Sequence, residues 1–217
     1  MRALRTGPAR ELWATGLLVA VAVTVAVWVA PGCRRERPQP SRPPPGPGSA
    51  FESFRRPAVL VAALGLPAGA IVAEIGAGSG LVTLPLARAV GPTGRVVATD
   101  LDEAALAALR ERADADGLRN ITTRRVDPAE RDRPGLEAAT YDLVLLAHVD
   151  HLLADRGAYL RSLRPVLRRG GRIAVSNRQD RQPGLREAAA GAGLSVREVA
   201  VDLPGQFLWE LRPGAAP

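Results

Sequence analysis

Residues 72–80 read VAEIGAGSG, so Glu74 is followed by Gly76, Gly78 and Gly80. Glycines carry no Cβ, which lets a main chain approach a ligand closely and turn sharply. An apolar run precedes them and a helical pattern opens at Leu81. The unpaired amides at such a helix start favour a carboxylate. Glu74 ends the apolar run, where a carboxylate is costly unless it is paired, and this favours a role in supporting a ligand. Two further acids follow at intervals suited to neighbouring strands. Asp100, after RVVAT, is placed to accept from a pair of hydroxyls, and Asp127, after ITTRRV, from an amino group. Either acid taken alone would serve equally as a cap. The remaining chemistry-bearing group is His148, Asp150 and His151. A histidine titrating near neutral pH can act as general base. His151 is the expected base, with His148 beside it and Asp150 to orient it; the plainer reading is a surface turn capped by Asp150.

These residues need a frame, and the pattern from about residue 51 supplies one. Apolar runs at 70–75 (AIVAEI), 95–99, 120–126, 141–147 (YDLVLLA) and 171–176 read as strands. Helical segments at 81–90, from the Asp102 N-cap to 115, at 157–167 and at 185–190 separate them. Strands alternating with helices imply right-handed parallel crossovers in a doubly wound α/β sheet. Two last strands, 195–201 and 206–211, are joined by too short a turn for a parallel return, so one of them runs antiparallel. In such a sheet a ligand binds outside the carboxyl ends of the strands, which is where each candidate lies.

Taken together, these stretches resemble the class I S-adenosylmethionine-dependent methyltransferases over about residues 54–213. The likeness is carried by VAEIGAGSG, the acid at Asp100, VDP at 126–128, YDLVLLAHVDHL at 141–152, YLRSLRPVLRRGGRIAV at 159–175 and LPGQFLWELRP at 203–213. The resemblance implies a seven-stranded, mostly parallel sheet of order 3-2-1-4-5-7-6 with strand 7 antiparallel. It implies S-adenosylmethionine as cofactor, its methionine end at the glycine loop supported by Glu74, its ribose at Asp100 and its adenine amino group at Asp127. The acceptor should lie beside 147–151, where His148 and Asp150 depart from the related pattern and only His151 matches it. A small or lipid-like acceptor is expected, since the Asn-Pro-Pro-Tyr motif of amide and exocyclic-amine methyltransferases is absent. A dinucleotide site is disfavoured. The third glycine falls one residue early for Gly-x-Gly-x-x-Gly, and Glu74 would add like charge beside a pyrophosphate. A tethered binding module without turnover is the alternative from a different class.

Composition narrows the rest. One cysteine and two histidines in 217 residues leave no disulfide framework and no expected metal site. All 29 basic residues are Arg, which removes any Schiff-base or P-loop lysine. The net charge is +7, but residues 1–50 hold +5 of it and the rest only +2, so no nucleic-acid partner is expected. Residues 12–30 (LWATGLLVAVAVTVAVWVA) carry no charge, long enough to span a bilayer, with Trp13 and Trp28 near the ends. Residues 1–33 therefore read as a signal-anchor helix; an exported lipoprotein lipidated at Cys33 is the alternative. Residues 34–50 read as a stiff Pro/Arg-rich linker, leaving 51–217 as the methyltransferase-like domain. Because the cofactor is a cytoplasmic metabolite, the domain is expected on the cytoplasmic side of the membrane. Oligomeric state is not legible.

Overall fold

The segment Tyr141–Ala147 is a strand in which all seven residues are buried. Such a strand must be covered on both faces, and it forms the centre of the sheet. The computed structural model describes residues 55–214. The expected anchor at 1–33, Cys33 and the Pro-rich linker lie outside the described residues. Among the described residues no helix is long and apolar enough to cross a membrane.

The elements are α1 (Pro57–Ala63), β1 (Ile71–Ile75), α2 (Thr83–Val90), β2 (Arg95–Asp100), α3 (Glu103–Ala115), β3 (Ile121–Arg125), β4 (Tyr141–Ala147), α4 (Arg156–Leu163), β5 (Leu167–Arg178), α5 (Leu185–Gly191), β6 (Leu194–Glu198) and β7 (Gln206–Pro213). The sheet order is β3-β2-β1-β4-β5-β7-β6, with β7 antiparallel to both of its neighbours. The chain order reverses between β1 and β4, so their carboxyl ends open the crevice in which such sheets bind ligands.

The two faces of β4 divide the core. Leu143 and Leu145 pack with Val72, Val96, Leu86 and Leu60 on the side covered by α1 and α2. Val144 and Leu146 pack with Val175, Tyr159, Leu163 and Trp209 on the side of α4 and α5. Each fully buried leucine contributes about 1.5–3 kcal/mol, so the central strands are held firmly at the place where they must present the site.

Among the boundaries that differ from the sequence pattern, two adjoin each other. The α4 helix stops at Leu163 and a 3-10 turn covers Arg164–Val166. Pro165 lacks the amide that would continue the helix. Strand β5 begins at Leu167 rather than at Gly171. Pairing with β4 jumps from Tyr141–Leu167 to Leu143–Arg172, a bulge that Gly170 (φ +80°) and Gly171 permit. A Cβ on Gly171 would lie 2.5 Å from the Tyr141 carbonyl oxygen.

Candidate active site

The glycine loop grows directly from the end of β1. Gly76 and Ala77 donate their amides to the Thr99 carbonyl at 2.8 and 3.0 Å, which folds the loop over the end of β2. All three glycines are left-handed, at φ +71°, +53° and +89°, and their surroundings differ. A Cβ on Gly76 would meet Val149 Cγ1 at 2.4 Å, and one on Gly80 would meet Leu109 Cδ1 at 2.3 Å. Gly78 has nothing within 4 Å in that direction. Gly76 therefore lets the turn after β4 approach, Gly80 lets α3 approach, and Gly78 faces open space. The helix that follows begins at Thr83, two residues later than its pattern suggests.

The acids have distinct settings. Glu74 is 2% exposed and accepts from the Thr83 hydroxyl at 2.6 Å. Burial pushes its carboxyl up to about 7; the Thr83 bond and the Arg55 charge oppose that rise, and Asp100 adds to it. Asp100 accepts from the Gly78 amide at 2.7 Å through Oδ2 and from the Asp102 amide at 2.9 Å through Oδ1. It thus ties the loop tip to the start of α3 while lining the cavity. Asp127 stands elsewhere. It is exposed, and its Oδ1 accepts from the Ala129 amide at 2.8 Å to cap the 3-10 turn Pro128–Glu130. The proline at 128 opens that turn, and the short carboxylate caps it. The cavity wall on this side is formed instead by Val126, Arg131 and Asp132. The ligand role expected of Asp127 thus meets a residue off the wall and already engaged as a cap.

The cavity has a volume of about 220 Å³ and a mostly apolar lining. It runs from Gly76 and Asp100 to Val149, Leu152, Leu153 and Tyr159.

On the β4 side the backbone itself is unusual. His148 has φ +61°, a left-handed conformation that a residue with a Cβ adopts at a cost. Its amide donates to the Ser176 carbonyl at 2.8 Å, and its Nε2 lies 2.8 Å from Gln206 Oε1. Burial, aided by the Arg55 charge, lowers its pKa to about 4, so the ring is neutral at pH 7. Asp150 is 1% exposed. Its Oδ1 accepts from Asn177 Nδ2 at 2.6 Å, and Arg156 Nε lies 3.5 Å from its Oδ2. Asn177 Nδ2 is also 3.0 Å from His151 Nδ1. Asp150 therefore does not hold the His151 ring itself, as the sequence reading had it; Asn177 stands between them. Burial also lowers the His151 pKa, with Arg181, Arg156 and Arg55 acting the same way and Asp150 opposing.

Sequence reasoning missed Asn177, Thr83, Val149 and Arg55. For Asn177 a signal existed: a polar residue closing the apolar strand RIAVSN, one strand over from the histidines.

Residues 73–173 match a sequence family described as a methyltransferase domain. Over those residues the chain is similar to the class I S-adenosylmethionine-dependent methyltransferases. S-adenosylmethionine is the cofactor of that family. Nocamycin O-methyltransferase of Saccharothrix syringae is 32% identical over 123 residues, 57% of this chain and 42% of that protein. Aklanonic acid methyltransferase DauC of Streptomyces sp. (strain C5) is 33% identical over 109 residues, 50% of this chain and 48% of that one. The chain thus spans under half the length of these relatives. A SAM-dependent methyltransferase from Aquifex aeolicus shares the fold, with a TM-score of 0.64 at 23% identity over 77% of this chain and 94% of that chain.

The domain fits the cofactor on its own geometry. Gly76 and Asp100 line the cavity at the switch point between β1 and β4, and Asp100 ties it to the Gly78 amide at the loop tip.

Proposed function

We propose that the domain transfers a methyl group from S-adenosylmethionine to a small-molecule acceptor while the N-terminal segment tethers it to a membrane. The observation that carries this reading is the closure of the Gly76–Gly80 loop onto Asp100 beside the cavity. The loop and Glu74 would hold the amino-acid end of the cofactor. Asp100 would take the ribose, and the wall at Val126 and Asp132 would take the base. When bound, the cofactor supplies a methyl carbon made electrophilic by a positively charged sulfur. The chain's part is then to orient and to exclude water. Val149, Leu152 and Leu153 present apolar surface for this at the mouth, and the segment 148–151 faces the acceptor.

Relatives named for an O-methyltransferase and for an acid methyltransferase support a small acceptor. Tethering rests on the uncharged run at 12–30. A cytoplasmic placement of the domain rests on where the cofactor is made.

The test is calorimetry on the full chain in detergent. S-adenosylmethionine should bind at roughly micromolar affinity, about 8 kcal/mol. No heat and no thermal shift at millimolar cofactor would overturn the reading, and a response to NADH instead would favour a dinucleotide site. A reporter fused after Pro217 checks on which side the domain lies.

A further inference from the structure

The partners of Asn177 determine how His151 carries its proton. Asn177 Oδ1 accepts from the Arg178 amide at 2.8 Å. Its Nδ2 lies 2.6 Å from Asp150 Oδ1, and Asp150 is an acceptor. The Arg178 amide can only donate and the carboxylate can only accept, so the side-chain amide has a single orientation. Its second N–H therefore points at His151 Nδ1, 3.0 Å away. That nitrogen must accept, and the neutral ring then carries its hydrogen on Nε2. No residue among those described bonds His151 Nε2, and the atom is not among the buried polar atoms lacking a partner. It is therefore reached by solvent, and His151, itself off the cavity wall, sits on the same short turn as the cavity-lining Val149 and Leu152.

A ring in this state cannot take a proton at Nε2. To do so it would need its hydrogen on Nδ1, directly against the Asn177 N–H. Full protonation meets the same clash. The groups facing the ring act in the same direction: Arg55 from ahead of α1, Arg156 from α4 and Arg181 from the turn after β5, with Asp150 alone opposing. Asp150 is itself engaged by Asn177 and by Arg156.

We infer that His151 is a hydrogen-bond donor, fixed by Asn177 as positioning residue, to an oxygen that the methyl acceptor already carries as an anion. This rests on the methyl transfer proposed above. An acceptor oxyanion, carboxylate or enolate, forms its new bond to the methyl carbon with a lone pair. The carbon–sulfur bond breaks with its electrons going to sulfur, which becomes a neutral thioether. No proton leaves the acceptor, so no base is required. Arg55, Arg156 and Arg181 lie around His151, Arg156 paired with Asp150 and Arg181 with Asp180, and their charges oppose a second proton on the ring.

The direct test is a two-bond proton–nitrogen correlation on the full chain in detergent, labelled at histidine. Only two histidines exist, and loss of one set in His151→Gln assigns them. His151 should show a bare Nδ1 and a protonated Nε2. Asn177→Asp, which can only accept, should reverse this; Asn177→Ala should give a mixture of the two tautomers. A wild-type ring protonated at Nδ1 overturns the proposal, and this readout needs neither cofactor nor acceptor.

The second arm uses labelled cofactor with the small molecules of a cell extract, divided beforehand on an anion exchanger at pH 7. Label should enter the retained, anionic fraction. His151→Gln, which keeps an N–H donor, should stay within about 10-fold of wild type, whereas His151→Ala should lose about 10- to 150-fold. A base would instead lose about 10²- to 10⁴-fold in both. Label entering only the neutral fraction, with a rate that follows histidine deprotonation, overturns the proposal. Bound cofactor with no label in either fraction refutes methyl transfer itself, while the tautomer still reports on Asn177.

Discussion

The two sides of the cavity mouth are built by different means. On the β1–β2 side the backbone does most of the positioning: three left-handed glycines, two amides on the Thr99 carbonyl and one on Asp100. On the β4–β5 side the side chains do it, through Gln206 on His148 and through Asn177 between Asp150 and His151. A backbone cradle suits a ligand that is always the same. A side-chain network can be exchanged residue by residue, which suits the half proposed to meet the acceptor. Only the first kind leaves a regular mark in the sequence.

The sharpest contrast to break lies within the glycine loop. Gly80→Ala must accommodate φ +89° and a Cβ 2.3 Å from Leu109 Cδ1. Left-handed backbone costs roughly 1–2 kcal/mol and overpacking typically about 1–3. A loss of about 2–5 kcal/mol in chemical denaturation is expected. Gly78→Ala pays only the backbone cost, about 1–2 kcal/mol, and should lose cofactor affinity instead. Equal destabilisation by the two would show that the open side of Gly78 has no special role.

The two sides should also differ in the sign of their pH dependence. Glu74 has a folded pKa of about 7 against an ordinary 4.5. Between these values the unfolded chain gives up the proton first, so this group's contribution falls as pH rises. The loss approaches about 3 kcal/mol above pH 7. His148 has a folded pKa of about 4 against an ordinary 6.5. Here the unfolded chain binds the proton first as pH drops, so stability is full above 6.5 and falls towards 4. Its partial exposure makes the effect smaller, because solvent screens it. His151, lowered as well, acts in the same direction. The slopes oppose each other in the wild type. Glu74→Gln should unmask stability that rises with pH between 4.5 and 6.5, and His148→Gln should steepen the fall over the same range. Denaturation midpoints across that range check this, and slopes of the same sign in both variants would break the contrast.

The sequence made the frame and the cradle legible because both follow from regular rules. Strand β4 is apolar but for Asp142 and its ends are as read; the short final turn forced an antiparallel β7. Gly76, Gly78 and Gly80 need left-handed backbone at a strand end, and no other residue type supplies it as easily. What stayed hidden depends on tertiary contact. Asn177 matters through partners 27 and 26 residues away, and no spacing rule joins them. Thr83 looked like an ordinary helical residue until Glu74 was seen beneath it. Arg55 lies ahead of the first clear element, yet its charge reaches Glu74 and both histidines.

Asp100 joins the two descriptions, since its carboxylate serves the backbone loop and faces the cavity. Hydrogen bonds to a charged group contribute about 1.5–3 kcal/mol. Asp100→Ala should therefore weaken cofactor binding by about 10- to 150-fold in calorimetry with the fold retained. Asp100→Asn keeps one acceptor oxygen and should fall between. Unchanged affinity in both would reduce Asp100 to a fastener of the Gly78 and Asp102 amides.

The smallest expected effect falls on Asp127, and it tests how far the backbone cradle extends. Its carboxylate caps the Pro128–Glu130 turn and lies off the cavity wall, with Asp132 occupying that wall in its place. Removing an N-terminal cap costs about 0.5–2 kcal/mol, and the shortness of this turn puts the expectation at the lower end. Asp127→Ala should thus lower stability by about 0.5–1 kcal/mol and shift cofactor affinity by less than about twofold, since a displaced turn moves Val126 only slightly. Asp132→Ala should do the reverse, sparing stability and weakening the cofactor, because that carboxylate borders the cavity and caps nothing. Calorimetry and denaturation on the two variants separate the roles. A tenfold loss of affinity in Asp127→Ala alone would return Asp127 to the site and make the capping contact a conformation that the ligand displaces.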